Sequence, residues 1–348
     1  MAGERAGGSR SMRRGRRAGG DHRRRTGACG RLPGVLLVIS FATMIAPASH
    51  AQNVRAVRPA TDAAANGDVE AAERALYDAS RRAPRDPAAR AALGEWLASR
   101  GQLQSGAVLL EEARLFGGDA VRIAARLAHL YTWLRDWQSL AALPASPLTA
   151  GEKARAAVLA DRSTSVMGAD TTVVPFAPLE VGALGRVPIV LGSDTLWGEI
   201  DPQEEGIVLP GLGRGAGLVE IIADDRRGPI GILRAASLGE LTLRDVPVRV
   251  DASLGAGRAR VGFDVFALLA PTVDARAGTV TLRRAGRVSE RSDAVGAAML
   301  LGFPGVRLAL RAGEAPVPIA SPAGRAALRG RPWTVDVRRG VIWMDAAR

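Results

Sequence analysis

Asp201 stands at the end of the run Leu196-Trp197-Gly198-Glu199-Ile200, with Pro202, Gln203, Glu204 and Glu205 directly after it. A carboxylate held at a strand end by a short loop can serve as general acid or base. The same residues also suit a capping aspartate in a surface turn. Other chemistries are scarce in this chain. Its cysteine is Cys29 and its histidines are His22, His50 and His129.

The N-terminus narrows the choice further. Residues 1–31 hold ten Arg against Glu4 and Asp21, and Val35 to Ala46 is an uncharged, mostly apolar run. Ser49 and Ala51 are small residues just ahead of Gln52. A basic segment, a short apolar segment and a small-residue cleavage site read as a secretory signal peptide over residues 1–51, with an uncleaved anchor as the alternative. The apolar run is shorter than the about 20 residues a membrane-spanning helix needs, so no stable span is expected after cleavage. Met12 is an alternative start that would shorten the basic segment. Of the formal +12 charge, +8 lies in residues 1–31, which leaves +4 for the processed chain. The high basicity therefore belongs to targeting and marks no nucleic-acid surface. Cleavage also removes Cys29, His22 and His50. Disulfides, thiol nucleophiles, Ser-His-Asp triads and multi-histidine metal sites go with them. Carboxylate chemistry, or none, is left, with no metal and no cofactor implied.

The elements that must position Asp201 follow from alternation. Val187, Ile189 and Leu191 alternate, Gly192-Ser193-Asp194 turns the chain, and Ile207-Val208-Leu209 closes the unit. This reads as strand, tight turn, strand, loop, strand. The unit resembles the first half of a retropepsin-like aspartic protease domain of the bacterial exported kind. Three further segments carry the likeness in order: Leu238–Val248 as a central hairpin, Val261–Phe266 with Gly262 and Asp264 as a glycine-led helix start, and Thr272–Leu282 as a final hairpin. The resemblance covers about residues 173–285. It implies an all-β barrel over 171–285, Asp201 in the catalytic place, and activity as a symmetric homodimer. It also implies a substrate-covering flap in the hairpin tip Asp224, Asp225, Arg226, Arg227 and Gly228. A solvated surface hairpin is the other reading of that tip.

Where that family carries Thr and Gly after its Asp, this chain has Pro202 and Gln203. Pro202 brings neither hydroxyl nor N–H, and Gln203 puts a side chain where only a hydrogen fits comfortably. Glu204 and Glu205 add like charge beside the candidate group. The resemblance with this departure implies a degenerate active site and a role in peptide or protein binding. An active homodimeric endopeptidase is the alternative.

Residues 54–146 repeat. Gly67-Asp68, Gly101-Gln102 and Arg135-Asp136 recur at a spacing of 34, and Ala72, Leu76 and Ala79 match Gly106, Leu110 and Ala113. A helix–turn–helix period of that length resembles the tetratricopeptide repeat. Its register predicts buried Leu93, Leu97, Leu110 and Leu127. Residues 147–170 read as a helical linker, with Thr149 and Glu152 as a capping pair. Residues 286–348 read as a C-terminal extension. In it Thr334–Met344 echoes Thr272–Leu282 at an offset of 62, Gly324 echoes Gly262, and Ala327-Leu328 sits where Phe266-Ala267 does. Gly211 to Gly217 lacks the strand–glycine–helix context of a nucleotide loop. The expectation is thus an α+β multidomain chain, a tetratricopeptide-like array before a retropepsin-like barrel, in a periplasmic or secreted protein. Intact mass after expression in an exporting host checks the leader. The chain is expected to begin at Gln52, and one retaining residues 35–51 would contradict it.

Overall fold

A computed structural model describes residues 48–348, apart from 212–217, 285, 287, 289–293, 303–304, 312 and 346–348, with side chains described from residue 57. The basic and apolar parts of the leader and most of the glycine-rich loop lie outside the described residues. No described helix is long and apolar enough to cross a membrane.

The helices come first: α1 (Ala48–Ala65), α2 (Val69–Arg82), α3 (Pro87–Ser99), α4 (Leu103–Leu115), α5 (Ala120–Leu134), α6 (Trp137–Ala142) and α7 (Ala150–Arg162). Five of these starts are set by side chains that accept from orphan N–H groups. Asp68 accepts from Ala71, Asp86 from Ala88, Asp119 from Arg122 and Asp136 from Ser139. Thr149 and Glu152 form the full reciprocal capping box of α7. Leu93, Leu97, Leu110 and Leu127 are all buried between helices.

The turns at the 34-residue spacing do more than reverse the chain. Gly67, Gly101 and Arg135 all have left-handed backbone, with φ of 66°, 81° and 56°. Each meets the β region. A Cβ at Gly67 would run into the Glu314 and Arg311 carbonyls, and one at Gly101 into the Val337 carbonyl. The Arg135 guanidinium donates to the Asp264 carbonyl at 3.2 Å. Arg100, beside Gly101, donates to the Met299 and Gly340 carbonyls at 2.9 and 2.5 Å. The repeat period is therefore also the spacing of the docking points on the sheets.

The strands are β1 (Ser165–Gly168), β2 (Thr171–Pro175), β3 (Ala177–Pro178), β4 (Gly185–Leu191), β5 (Asp194–Asp201), β6 (Ile207–Leu209), β7 (Val219–Asp225), β8 (Gly228–Leu233), β9 (Ala236–Leu238), β10 (Leu241–Arg244), β11 (Val246–Val250) and β12 (Arg258–Gly262). Helix α8 (Phe263–Ala267) follows, then β13 (Thr272–Asp274), β14 (Thr279–Arg283), β15 (Ala294–Gly302), β16 (Gly305–Ala309) and β17 (Val317–Pro318). Helix α9 (Pro322–Leu328), β18 (Trp333–Asp336) and β19 (Val341–Asp345) end the chain. The class is α+β, helices first and then two large sheets. One sheet runs β1-β10-β9-β4-β5-β12-β6-β11-β8-β7 and the other β17-β16-β15-β19-β18-β13-β14-β2.

Two boundaries differ from the sequence reading. Strand structure begins at Ser165 within the expected linker, because Ser165–Gly168 pairs with β10 as a short edge strand. Residues 286–348 are no separate appendage: β15 to β19 share a sheet with β13, β14 and β2, and one apolar core runs from Val174 to Met344. The echo at offset 62 is a physical pairing. Strands β13 and β18 lie antiparallel with Thr272 opposite Thr334, their hydroxyls 2.8 Å apart. The order strand, short helix, hairpin occurs twice, as β12, α8, β13–β14 and as β17, α9, β18–β19. The glycines are not equivalent, however: Gly262 is the N-cap of α8, whereas Gly324 lies inside α9.

Gly101 and Gly117 separate docking from backbone strain. Both have φ near +80°, but nothing lies within 4 Å of a Cβ at Gly117. Gly101→Ala is expected to lose about 1–3 kcal/mol more than Gly117→Ala in denaturant unfolding, the overpacking cost added to a shared backbone cost. Equal losses would show that the turn does not dock.

Candidate functional site

The unit around Asp201 forms as its alternation requires. In β4, Val187, Ile189 and Leu191 point into the core, Gly192-Ser193 makes a two-residue turn, and β5 ends at Asp201. Strands β5 and β6 are consecutive but not adjacent. Strand β12 lies between them, parallel to β5 and antiparallel to β6. That insertion sets Gly262 opposite Asp201 and brings Asp264 under the intervening loop.

The loop is tied to the rest of the chain at several residues. Asp201 is partly exposed, and its Oδ1 accepts from the Gln203 N–H at 2.9 Å. Such a side chain-to-backbone bond two residues on is an Asx turn, and it uses the donor that follows proline. Pro202 is buried and Gln203 exposed. The β15–β16 hairpin lays Gly305 beside them: a Cβ there would stand at ordinary contact distance, 3.4 Å from Gln203 Cγ and from the Pro202 carbonyl oxygen. Glu204 pairs with Arg249 at 2.7 Å and with Arg260 at 3.7 Å. Glu205 meets His129 Nδ1 from α5. Gly206 donates to Asp264 Oδ1 at 3.0 Å, and its carbonyl accepts from Gly262 N–H at 2.7 Å. Gly262 has to be glycine: a Cβ would run into the Asp264 carboxylate and the Glu204 backbone.

Asp264 is the buried acid of the cluster. Burial pushes its carboxyl up from 3.8 to about 6, and the nearby Glu205 charge adds to the shift. The Arg135 guanidinium and the Gly206 and Val265 N–H groups oppose it. Burial lowers Arg135 to about 10, which leaves it charged at neutral pH. The like charge of Glu205, expected to bear on Asp201, thus bears on Asp264.

The structure brings Asp201, Pro202, Gln203, Glu204, Glu205, Gly262 and Asp264 together. Among the described residues no hydrogen bond joins Asp201 to a second carboxyl. The hairpin of Asp224 to Gly228 packs elsewhere. Its strands β7 and β8 end the first sheet under α7, with Gly151 against Ala223 and Ile230, and Arg162 pairs with Glu220 at 2.6 Å. A Cβ at Gly228 would meet the Val250 carbonyl. The strands are thus covered by α7, while Asp224, Arg226 and Arg227 at the tip are exposed.

Sequence reasoning missed Arg135, His129, Arg249 and Arg260. One signal was present: Arg135 occupies the register position where Gly67 and Gly101 stand. A non-glycine in left-handed backbone marks a side chain with a task. His129 gave no such signal, because its partner lies 76 positions away.

No family profile matches the chain, and no curated protein matches it. Among solved structures, a retropepsin-like aspartic protease from Rickettsia conorii aligns with 34% of this chain and 92% of its own, at 12% identity and a TM-score of 0.23. An overlap at that score carries no functional weight, so the geometry above has to carry it.

The Asp264 shift has a definite sign. A carboxyl raised in the folded state contributes stability below its unfolded pKa and loses it as pH rises through the folded one. At about 1.36 kcal/mol per unit, ionising Asp264 costs the fold on the order of 3 kcal/mol by about pH 7. Asp264→Asn keeps an acceptor for Gly206 and cannot ionise. Its stability relative to the parent is expected to rise by on the order of 2–3 kcal/mol between about pH 4 and 7 in urea unfolding. A pH-independent difference would remove Asp264 from the buried cluster.

Proposed function

We propose that this chain is an exported, non-catalytic peptide- or protein-binding protein. In this reading a tetratricopeptide-like array and a retropepsin-like β region form one body in the periplasm or outside the cell. The observation that carries it is the closed state of the Asp201 loop. Aspartic peptidases work by two carboxyls sharing a proton. Here Asp201 is engaged with its own turn and Glu204 with arginines. Glu205 is taken by His129, and the buried Asp264 carboxyl faces the Gly206 N–H.

Two further features favour a single-chain reading over a homodimeric enzyme. A second copy would need a free strand edge and a free face beside Asp201. Strand β18 of the same chain already occupies the edge of β13. Gly305 of the same chain already sits on the Asp201 loop.

The test is peptidase activity on a mixed pool of unstructured peptides from acid to neutral pH. No cleavage is expected, and Asp201→Asn is expected to behave like the parent. Cleavage that disappears in Asp201→Asn, with unfolding unchanged, would restore the endopeptidase.

A further inference from the structure

The turns at Gly67, Gly101 and Arg135 meet the β region, so the α2–α3 and α4–α5 loops lie at the other ends of the same helices. These two loops are neighbours. A Cβ at Gly118 would stand 3.2 Å from Pro87 Cβ, and Arg90 pairs with Glu112 at 3.1 Å. Leu115 ends α4, Phe116 caps it, and Val121 stands in the first turn of α5. They are 74%, 40% and 67% exposed, and a Cβ at Gly117 between them would meet nothing within 4 Å. One repeat earlier the register places Arg81, Arg82 and Pro87 at the same positions. Packing between the helices therefore does not ask for apolar side chains here. Apolar residues gathered at an exposed tip without a packing task mark a contact surface.

The charges beside the tip leave cations over. Asp86 and Asp119 accept from the starts of α3 and α5. Asp78, Glu111 and Glu112 pair with Arg81, Arg114 and Arg90. Arg82 and Arg85 are exposed and make no ion pair or hydrogen bond among the described residues.

The chain also enters the array at this end. Helix α1 runs from Ala48 towards the docked turn at Gly67, and α2 returns from it. At 1.5 Å per residue the 18 residues of α1 span about 27 Å, against about 21 Å for the 14 of α2. Its start therefore lies level with Arg82 or beyond. The apolar run Val35 to Ala46 precedes that start by one residue. A leader of that composition enters a bilayer during export, so this end of the array is the one delivered to a membrane surface.

We propose that this end of the array rests on an anionic lipid surface, with Leu115, Phe116 and Val121 among the acyl chains and Arg82 and Arg85 on the headgroup phosphates. Apolar burial joined to cationic attraction holds a protein on a bilayer without a span. The proposal goes beyond the peptide-binding reading and is independent of whether Asp201 is catalytic.

The test sediments the processed chain, purified from an exporting host, with vesicles of phosphatidylglycerol and phosphatidylcholine in equal parts or of phosphatidylcholine alone. The anionic vesicles are expected to bind it at least about fivefold more tightly, with the difference lost in high salt. Leu115→Ser, Phe116→Ser and Val121→Ser together are expected to weaken binding at least about tenfold with the unfolding midpoint unaltered. Val181→Ser, at an 82% exposed site in the β region, is expected to leave binding unchanged. Arg82→Gln with Arg85→Gln is expected to weaken binding about fivefold or more on the anionic vesicles alone. Sedimentation with neither vesicle, equal binding to both, or a triple variant that binds like the parent overturns the proposal. Self-association of the parent that the triple variant abolishes, without vesicle binding, assigns the tip to a second copy and overturns it as well. A peptidase assay on the same preparation reports on the function above separately, and cleavage there would leave the vesicle result standing.

Discussion

The arrangement depends on one buried residue, Asp264. Its carboxylate oxygen accepts from Gly206 N–H, while its backbone carbonyl accepts from the Arg135 guanidinium. One residue thus ties the Asp201 loop, the start of α8 and the third helical turn. Taking a carboxyl out of water is costly, and the cost appears as its raised pKa of about 6. The cost is tolerated because the same position satisfies a buried N–H that would otherwise be orphaned.

That tie explains why the helices and sheets form one body. The left-handed turns at Gly67, Gly101 and Arg135 present their backbones or side chains to three places on the β region, at 311–314, 337–340 and 264. Repeat arrays of so few units bury too little surface to be secure alone. Here the sheets supply the missing neighbour. The doubled hairpins act in the same direction: β13 and β18 satisfy each other's edges within one chain, which removes a surface where a second copy would add strands.

Much of this was legible from residues alone. The alternation in β4, the turn at Gly192-Ser193 and the loop after Asp201 follow local rules, as do the helix starts at Asp68, Asp136 and Thr149. The offset of 62 was legible because both hairpins use the same turn residues. What stayed hidden was every relation that depends on distant contact. Nothing local in His129 points to Glu205, nor in Pro202-Gln203 to Gly305. The edge strand Ser165–Gly168 was missed because it carries little β pattern of its own and is made by pairing to β10. The contact of α7, assigned to a linker, with the strands of the Asp224–Gly228 hairpin was hidden in the same way.

The account's central claim is that the Asp201 loop is a structural joint held shut by its own chain. Native-state hydrogen exchange at the Gly206 amide tests it most directly. The account predicts exchange only through global unfolding, with an opening free energy equal to that of the slowest core strands. Exchange at the rate of an exposed loop, with the core still protected, would show an open and mobile loop and contradict it.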